Sequence, residues 1–293
     1  MKCNICGCKD IQITYSGKIR DGRVGVLTPM DVNVYKCNNC STIWHDTGLD
    51  FERFYESEEY RISLEGTTDV QKFYEMHDFE NMDKFTYTGT EMFRNRVVAD
   101  IGCGGGAFLD CIRGMAKKTV AIEPSEKYRA ELQKKGNIVY PYMQDAMKEF
   151  NGKIDAIVSF DVIEHVADPI EFVEQAYGLL ADDGKCIIGT PTDAPVMRSL
   201  LGDDYNSFLF STQHPWVLCE DSFKVIAEKC NIDNYKIKYH QRYGLGNLMY
   251  WLLNKVPGKH KQYEFIKTFV DMAWKISLEE QGLADYIVFE FSK

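Results

Sequence analysis

The chain has 293 residues, of which 45% are hydrophobic and 13% aromatic, and its net charge is −10. This length accommodates one large α/β domain with an appendage, and the hydrophobic content excludes a disordered chain. The acidic balance argues against a nucleic-acid backbone as the partner, because that affinity rests on Lys and Arg displacing counterions.

Two CxxC pairs frame the first predicted elements. Cys3 and Cys6 form one pair, and Cys37 and Cys40 form the other. Alternating apolar residues between the pairs predict short antiparallel strands. Four thiolates in tetrahedral geometry close a zinc shell and leave no open position for catalysis. The sequence therefore predicts a structural Zn²⁺ in a zinc-ribbon-like module over residues 1–48.

Two neighbouring residues leave the ligand set open to variation. Cys8 is an alternative to Cys6, although the CxxC spacing favours Cys6, and His45 is a ligand only in a different register. Residues 1–50 carry six Lys or Arg against five Asp or Glu, which makes no basic patch. We interpret the module as a brace or lid on the substrate side, or as a subunit contact, rather than as a reader of nucleic acid.

A mixed, aromatic-rich segment follows over residues 49–95, which we predict to be a helical linker or lid over the active site. A different residue pattern begins at Val97. Apolar runs at 97–101, 119–122, 138–142, 155–160 and 185–189 alternate with helical stretches such as 125–135 and 169–180. This βαβ alternation predicts a doubly wound parallel sheet.

A glycine loop follows the first of these strands, in VVADIGCGGGAFLDCI from Val97 to Ile112. Gly102, Gly104 and Gly106 allow the backbone to turn sharply and to approach a ligand at the carboxyl end of the strand. A dinucleotide-binding loop is the alternative interpretation. However, Asp100 would repel a pyrophosphate, whereas Glu123 at the end of the next strand can accept hydrogen bonds from both ribose hydroxyls.

The motifs DIGCGGG, AIEPS, QDA, FDVIEHV and LLADDGK fall in order over about 100 residues. With these motifs the chain resembles the class I S-adenosylmethionine-dependent methyltransferases. The resemblance implies an α/β, Rossmann-like fold with a seven-stranded sheet over 96–293, and S-adenosylmethionine as cofactor. It implies the following cofactor-binding residues: Asp100, Gly102, Gly104, Gly106, Glu123, Pro124, Asp145 and Phe160.

The two ends of the chain carry looser resemblances. The CxxC module followed by FERFYESEEYRIS is similar to the zinc-binding module of some sugar methyltransferases. QRYGLGNLMYWLLNKVPG and ADYIVFEFSK resemble the tails of methyltransferases encoded in surface-polysaccharide gene clusters. These resemblances imply a sugar, nucleotide-sugar or related glycan precursor as acceptor. Residues 243–282, before the last predicted strand, form a helical insertion that we expect to cap the substrate.

Methyl transfer to a hydroxyl requires positioning and a group that takes the proton. The catalytic candidates are His214, His165, Glu164 and Tyr60, with His214 slightly favoured because its loop should face the acceptor. Asp161, Glu164 and His165 also resemble the metal site of certain O-methyltransferases, with His214 as a fourth ligand. A catalytic Mg²⁺ is therefore a second hypothesis, weakened by the short Asp at the first position.

The sequence contains no apolar run long enough for a signal peptide or a membrane span. Five further cysteines (Cys103, Cys111, Cys186, Cys219, Cys230) are expected to be buried free thiols in a reducing cytoplasm. We predict a cytoplasmic O-methyltransferase of a small polar acceptor, without nucleic-acid binding or membrane insertion, and with a homodimer as an open option. The alternatives are methylation of a quinone or natural-product phenol, RNA or protein methylation, and a catalytically inactive ligand-binding subunit.

Overall fold

The computed structural model describes residues 1–48, 54–55, 62, 66 and 69–293. Tyr60, one of the catalytic candidates, lies outside the described residues, as does part of the predicted lid before residue 69. The chain divides into two compact units. The first comprises residues 1–49, 190–225 and 237–288, and the second comprises residues 50–189, 226–236 and 289–293.

The regular elements follow one another as short strands, then alternating helices and strands. The strands are β1 Ile11–Gly17, β2 Val32–Cys37, β3 Ile43–Trp44, β4 Val97–Ile101, β5 Lys118–Ile122, β6 Ile138–Tyr140, β7 Ile154–Phe160, β8 Leu180–Pro191, β9 Trp216–Val217, β10 Tyr235–His240 and β11 Tyr286–Ser292. The helices are α1 Val70–His77, α2 Glu80–Thr88, α3 Ala107–Ile112, α4 Glu126–Lys134, α5 Met143–Phe150, α6 Pro169–Leu179, α7 Pro195–Leu201, α8 Asp203–Leu209, α9 Glu220–Lys229, α10 Leu245–Asn254 and α11 Thr268–Glu280.

A seven-stranded sheet has the order β10-β11-β8-β7-β4-β5-β6. Its β4 pairs in parallel with both β5 and β7, and β5–β6 and β7–β8 are also parallel pairs. Strands β4 and β7 are nearly continuous apolar runs because a parallel strand is covered on both faces. This arrangement confirms the predicted α/β, Rossmann-like methyltransferase fold.

The ends of the helices follow local chemistry. Asp168 is the N-cap of α6, where its side chain accepts hydrogen bonds from the backbone N–H groups of Ile170 and Glu171, and Pro169 occupies the first turn. Strand β8 is longer than the predicted 185–189, because Leu180 already pairs with Ile154 of β7.

The first unit contains a four-stranded sheet of order β1-β2-β3-β9. Strands β1, β2 and β3 pair antiparallel, as the alternation predicts, and β3 also pairs antiparallel with β9. Its apolar core joins the module to the helices α7, α8 and α10 through the buried side chains of Ile19, Val34, Ile43, Ala194, Met197, Leu201, Tyr205, Leu209, Phe210, Val217, Leu248 and Trp251.

Among the described residues, no helix is both long and apolar enough to span a membrane. All ten cysteines are free thiols. Cys103, Cys186 and Cys230 are buried as expected. The expectation was wrong for Cys111, which is exposed near the end of α3, and Cys219 is only partly buried.

Candidate functional site

Two buried carboxylates lie at the carboxyl edge of the parallel sheet. Strands β4 and β5 run in parallel register from Val97↔Lys118 to Ile101↔Ile122, so their carboxyl ends meet at one edge. Asp100 lies one residue before the end of β4, and Glu123 directly follows β5. Each side chain is 5% exposed. The structure thus brings together two acids that are 23 positions apart in sequence.

Glu123 is held by backbone groups of the loops around it. One carboxylate oxygen accepts a hydrogen bond from the N–H of Gly104 (2.8 Å) and the other accepts from the N–H of Ser125 (2.9 Å). Glu123 therefore joins the glycine loop to the turn that follows β5.

The pKa of Asp100 is raised from its usual value to about 7. Burial is the largest cause, the positive charge of Lys84 opposes it, and the negative charge of Glu123 adds to it. Two buried acids in one site are stabilised by a cation and by hydroxyl donors, whereas a pyrophosphate would be repelled. This pair of carboxylates fits the sulfonium, amino and ribose groups of S-adenosylmethionine.

The glycine loop needs glycine for conformation and for space. Gly102, Gly104 and Gly106 have φ angles of +74°, +55° and +82°. A Cβ on Gly102 would lie 2.3 Å from a methyl carbon of Val162, and one on Gly106 would lie 2.5 Å from Leu132. The three predicted glycines therefore share one tight turn between β4 and α3.

Two aromatic residues of α1, Phe73 and Tyr74, support the glycine loop. The hydroxyl of Tyr74 donates a hydrogen bond to the carbonyl oxygen of Gly105 (2.8 Å). Lys135 donates in turn to that hydroxyl, and its Nζ lies 4.1 Å from the centre of the Tyr74 ring. A Cβ on Gly105 would lie 2.7 Å from the ring of Phe73. The sequence contained no signal for these supports, because they come from distant segments.

The other predicted cofactor residues lie at or after the ends of β5, β6 and β7. Pro124 follows Glu123, and its carbonyl oxygen accepts a hydrogen bond from Arg129. Asp145 lies in the first turn of α5, where it forms an ion pair with Lys148 (2.7 Å). Phe160 ends β7 and is 8% exposed.

Phe160 belongs to an aromatic cluster under this edge of the sheet. Its ring centre lies 5.9 Å from that of Phe108 and 6.0 Å from that of Tyr87. The Nζ of Lys84 lies 5.8 Å from the Phe160 ring centre. The structure thus places the ring beside α3, the helix that follows the glycine loop.

His165 ends a short 3₁₀ turn, Ile163–His165, that follows β7. Its Nδ1 lies 2.5 Å from the hydroxyl oxygen of Tyr55, and the two rings meet edge to face with centres 5.2 Å apart. Glu164 is 2% exposed, and its carboxylate lies 4.0 Å from Nε2 of His165. Tyr55 was not among the catalytic candidates, since no local pattern links it to a histidine 110 positions away.

Asp161, the first residue of the proposed Mg²⁺ set, has a left-handed backbone with φ of 56°. Its N–H donates to the carbonyl oxygen of Gly189 (2.9 Å), and its side chain is exposed, whereas the side chain of Glu164 is buried. The turn after β7 therefore directs these two carboxylates into different surroundings.

His214 belongs to the first unit, in the loop between α8 and β9. The ribbon module holds the backbone of this loop on both sides of His214. The N–H of Arg20 donates to the carbonyl of Phe210 (3.0 Å), and the N–H of Thr212 donates to the carbonyl of Arg20 (2.9 Å). The N–H of His45 donates to the carbonyl of Pro215 (3.2 Å).

His45 also contacts this loop through its side chain. Its Nε2 lies 2.8 Å from the carbonyl oxygen of Ser211, and the side chain is 4% exposed. Burial lowers the pKa of this histidine, so the neutral ring donates Nε2–H to Ser211. His45, which would be a metal ligand only in a different register of the cysteine pairs, is a structural hydrogen-bond donor here.

Four thiols cluster at the end of the module. The Sγ atoms of Cys3, Cys6, Cys37 and Cys40 all lie within 4.8 Å of one another. Cys3 and Cys40 are 3.6 Å apart at sulfur, and Cys6 and Cys37 are 3.4 Å apart. Tetrahedral Zn–S bonds of about 2.3 Å place sulfur atoms about 3.8 Å apart, so the cluster has the dimensions of a Cys₄ zinc shell.

The positions of the thiols distinguish the four clustered cysteines from Cys8. Cys8 lies outside the cluster, and its Sγ accepts a hydrogen bond from the N–H of Asp10 (3.4 Å). Burial raises the pKa of Cys37 to about 11, and the hydrogen bond with Cys3, followed by burial, raises that of Cys40 to about 12. A divalent cation would reverse both shifts, because it stabilises thiolates.

A family model described as a methyltransferase domain matches residues 74–237. A ubiquinone biosynthesis O-methyltransferase of Caulobacter sp. (strain K31) is 30% identical over 109 residues, which are 35% of this chain and 43% of that protein. A probable S-adenosylmethionine-dependent methyltransferase of Mycobacterium tuberculosis is 29% identical over 132 residues, covering 39% of this chain and 47% of the relative. The chain thus spans about half the length of these curated relatives.

Solved structures share the fold. A methyltransferase of Thermotoga maritima, described as a possible histamine N-methyltransferase, has a TM-score of 0.50 at 17% identity, covering 83% of this chain and 97% of that one. A phosphoethanolamine N-methyltransferase of Haemonchus contortus has a TM-score of 0.51 at 14% identity, covering 86% of this chain and 63% of the other.

Proposed function

Because this chain belongs to the methyltransferase-domain family, we propose that it transfers a methyl group from S-adenosylmethionine to a hydroxyl group of a small molecule. In such a transfer the acceptor oxygen forms a bond to the methyl carbon as the carbon–sulfur bond breaks. The sulfonium becomes the neutral thioether of S-adenosylhomocysteine, and the hydroxyl proton passes to a base. The chain's own residues bind the donor, orient the acceptor and take that proton.

The pair of buried carboxylates carries this proposal. Glu123 would accept the ribose hydroxyls, and Asp100 would face the amino group of the donor, while the glycine loop allows its backbone to approach the ligand. A cationic donor relieves the repulsion between the two acids, which a nucleotide pyrophosphate would increase. Asp145 and Phe160, which follow β6 and end β7, would border the adenine ring.

Calorimetric titration with S-adenosylhomocysteine tests donor binding. Glu123→Ala should weaken binding by one to two orders of magnitude, because a charge-assisted pair of hydrogen bonds is worth about 2–3 kcal/mol. Glu126→Ala, which removes an exposed acid three residues further on, is the matched control. Glu123→Gln preserves an acceptor for the N–H of Gly104 and separates ligand binding from loop stability. Unchanged affinity in both Glu123 variants would place the ribose elsewhere.

We assign the proton-accepting role to His165. It follows β7, the strand beside β4, and it lies in the same unit as the glycine loop. If Nδ1–H of His165 donates to the oxygen of Tyr55, then Nε2 carries a lone pair and can accept the hydroxyl proton. The short contact with Tyr55 supports this tautomer-setting role. His214, which the sequence slightly favoured, is the competing candidate.

The proposal retains two classes of hydroxyl-bearing acceptor, phenols or quinols and sugars. The names of the ubiquinone O-methyltransferases support a phenol or quinol precursor. The sugar acceptor rests on the resemblance of the chain's ends alone, since no comparison supports it. Because these matches cover only 35% and 33% of this chain, they carry little information on the acceptor. Turnover assays with a panel of catechols, hydroxylated quinols and nucleotide sugars decide between the classes.

The cysteine cluster, in this proposal, holds a structural Zn²⁺ that braces the loop around His214. Four protein ligands leave no open coordination position, so the ion contributes folding energy rather than chemistry. The contacts of Arg20 and His45 with residues 210–215 support the bracing role. With its mixed charge, the module is better suited to this role than to holding RNA.

A further inference from the structure

The last helix of the first unit is apolar on two opposite sides. Val270, Trp274 and Leu278 of α11 follow one another every four residues; Leu278 is buried, and Trp274 packs against the apolar core. On the opposite side, Phe269, Met272 and Ile276 are 72%, 55% and 46% exposed. A surface helix ordinarily presents polar residues on its outer side, so this outer stripe indicates an interaction surface.

Neighbouring residues extend this stripe. Phe265, just before α11, is 67% exposed, and Leu252, Leu253 and Val256 around the end of α10 are 41%, 73% and 42% exposed. Seven of the eighteen exposed large hydrophobic side chains among the described residues thus fall within residues 252–276. We call this segment the α10–α11 surface.

The same segment is basic in an otherwise acidic chain. Residues 252–276 contain five lysines and two acidic residues, whereas the whole chain has a net charge of −10. Lys259, Lys261 and Lys267 are exposed. In the part of the chain that the structure describes, no carboxylate lies within ion-pair distance of these three lysines.

The two acids of the segment do not neutralise this charge. Asp271 turns inward, where its Oδ1 accepts a hydrogen bond from the N–H of Leu245 (2.7 Å). Glu264 is exposed and stands alone between lysines. Lys275 donates to the carbonyl of Arg242 (2.9 Å), and Lys255 pairs with Asp204 (3.1 Å). Three exposed cations therefore remain beside the apolar stripe.

We propose that the α10–α11 surface binds an anionic lipid bilayer from one side. Exposed aromatic and aliphatic side chains bury themselves at the boundary between headgroups and acyl chains, and neighbouring lysines are attracted to an anionic surface. A second copy of this chain fits less well, because two such surfaces would bring their lysines together. No spanning helix is required, since the segment lies in the plane of the interface.

Co-sedimentation of the full chain with vesicles tests this surface. The protein should partition onto vesicles of phosphatidylglycerol and phosphatidylcholine, bind pure phosphatidylcholine vesicles at least tenfold more weakly, and be released from the anionic vesicles by high salt. The double variant Phe269→Ser/Met272→Ser should lose at least tenfold in partitioning. Lys259→Gln/Lys261→Gln/Lys267→Gln should lose binding to anionic vesicles and should leave the weak binding to pure phosphatidylcholine vesicles unchanged.

The matched control is Met30→Ser/Met82→Ser, which removes two side chains that are 74% and 70% exposed elsewhere. It should bind vesicles as the wild type does. Equal partitioning of wild type and the Phe269/Met272 variant, or no binding to anionic vesicles, overturns the proposal. So does a wild-type dimer in sedimentation equilibrium that the Phe269/Met272 variant dissociates without any vesicle binding. S-adenosylhomocysteine affinity should be the same in all variants, which separates this surface from the proposed methyl transfer.

Discussion

The imidazole Nε2 of His45 donates a hydrogen bond to the carbonyl oxygen of Ser211, 166 positions further along the chain and 2.8 Å away. This bond joins the end of the ribbon module to the loop that carries His214. Because the ring is buried and neutral, its removal leaves a cavity and takes one of two hydrogen bonds from the Ser211 carbonyl, which also accepts from the N–H of His214 (2.8 Å). The module and the loop should therefore lose stability together.

We predict that His45→Ala lowers the free energy of unfolding by about 2–4 kcal/mol in urea titrations. The exposed His260→Ala in the same unit is the control and should change stability little. The pKa of His45 is lowered by burial, so its contribution is present above about pH 6.5 and is lost as the pH falls below that value. If His45→Ala left stability unchanged at pH 7, the bond would not brace the loop.

The cysteine cluster allows a matched pair of substitutions. Cys37→Ser should abolish the zinc content of the purified protein and destabilise the module, because binding of a structural ion is coupled to folding. Cys8→Ser should retain about one zinc per chain, since Cys8 lies outside the cluster. Elemental analysis and limited proteolysis of residues 1–48 measure both effects. Wild-type protein without zinc, prepared free of chelator, would contradict the structural-zinc proposal.

Asp100 should make the unliganded protein less stable as the pH rises. Its pKa is about 7 in the folded chain and about 4 in the unfolded chain, so between these values only the folded chain holds the proton. The resulting contribution of ~4 kcal/mol is present below about pH 4 and lost as the pH rises through 7.

Asp100→Asn, which is neutral at every pH, should flatten the pH dependence of urea unfolding between about pH 5 and 8. Asp182→Asn, at an exposed acid, is the control and should preserve it. An ammonium group bound beside Asp100 would lower the pKa of this carboxyl. S-adenosylhomocysteine carries such a group, so its binding near pH 7 should release protons, seen as a binding heat that depends on the buffer. Identical proton release by Asp100→Asn would assign the effect to another group.

His165 and His214 can be distinguished by their kinetic signatures. His165→Ala should retain cofactor affinity and lose roughly 10²–10⁴ in turnover, and the wild-type rate should rise with pH through the histidine pKa. Tyr55→Phe should lower turnover less and shift that pH profile, because it removes the group that sets the tautomer. If only His214→Ala lost turnover, the proton acceptor would be His214 of the first unit rather than His165. Loss of activity in a chelator with recovery by Mg²⁺ would instead support the metal hypothesis.

Much of the sheet and the glycine loop could be predicted from the sequence. Strand β4 is expected at 97–101 and occurs there, and the strand expected at 155–160 occurs as β7, Ile154–Phe160, because an apolar run between turn residues is a local property. Glu123 was predicted at the end of the strand after the glycine loop, where the structure has it. The left-handed φ angles of the three glycines also follow from local sterics.

The contacts that place these elements could not be predicted in the same way. The partners Tyr55 and His165 are 110 positions apart, and Tyr74 reaches the glycine loop from α1. Strand β3 has two residues and no periodicity of its own, and its pairing with β2 and β9 makes it a strand. A residue pattern determines which side of an element is apolar, whereas the partner that satisfies a buried donor or acceptor is decided by the packing of the whole chain.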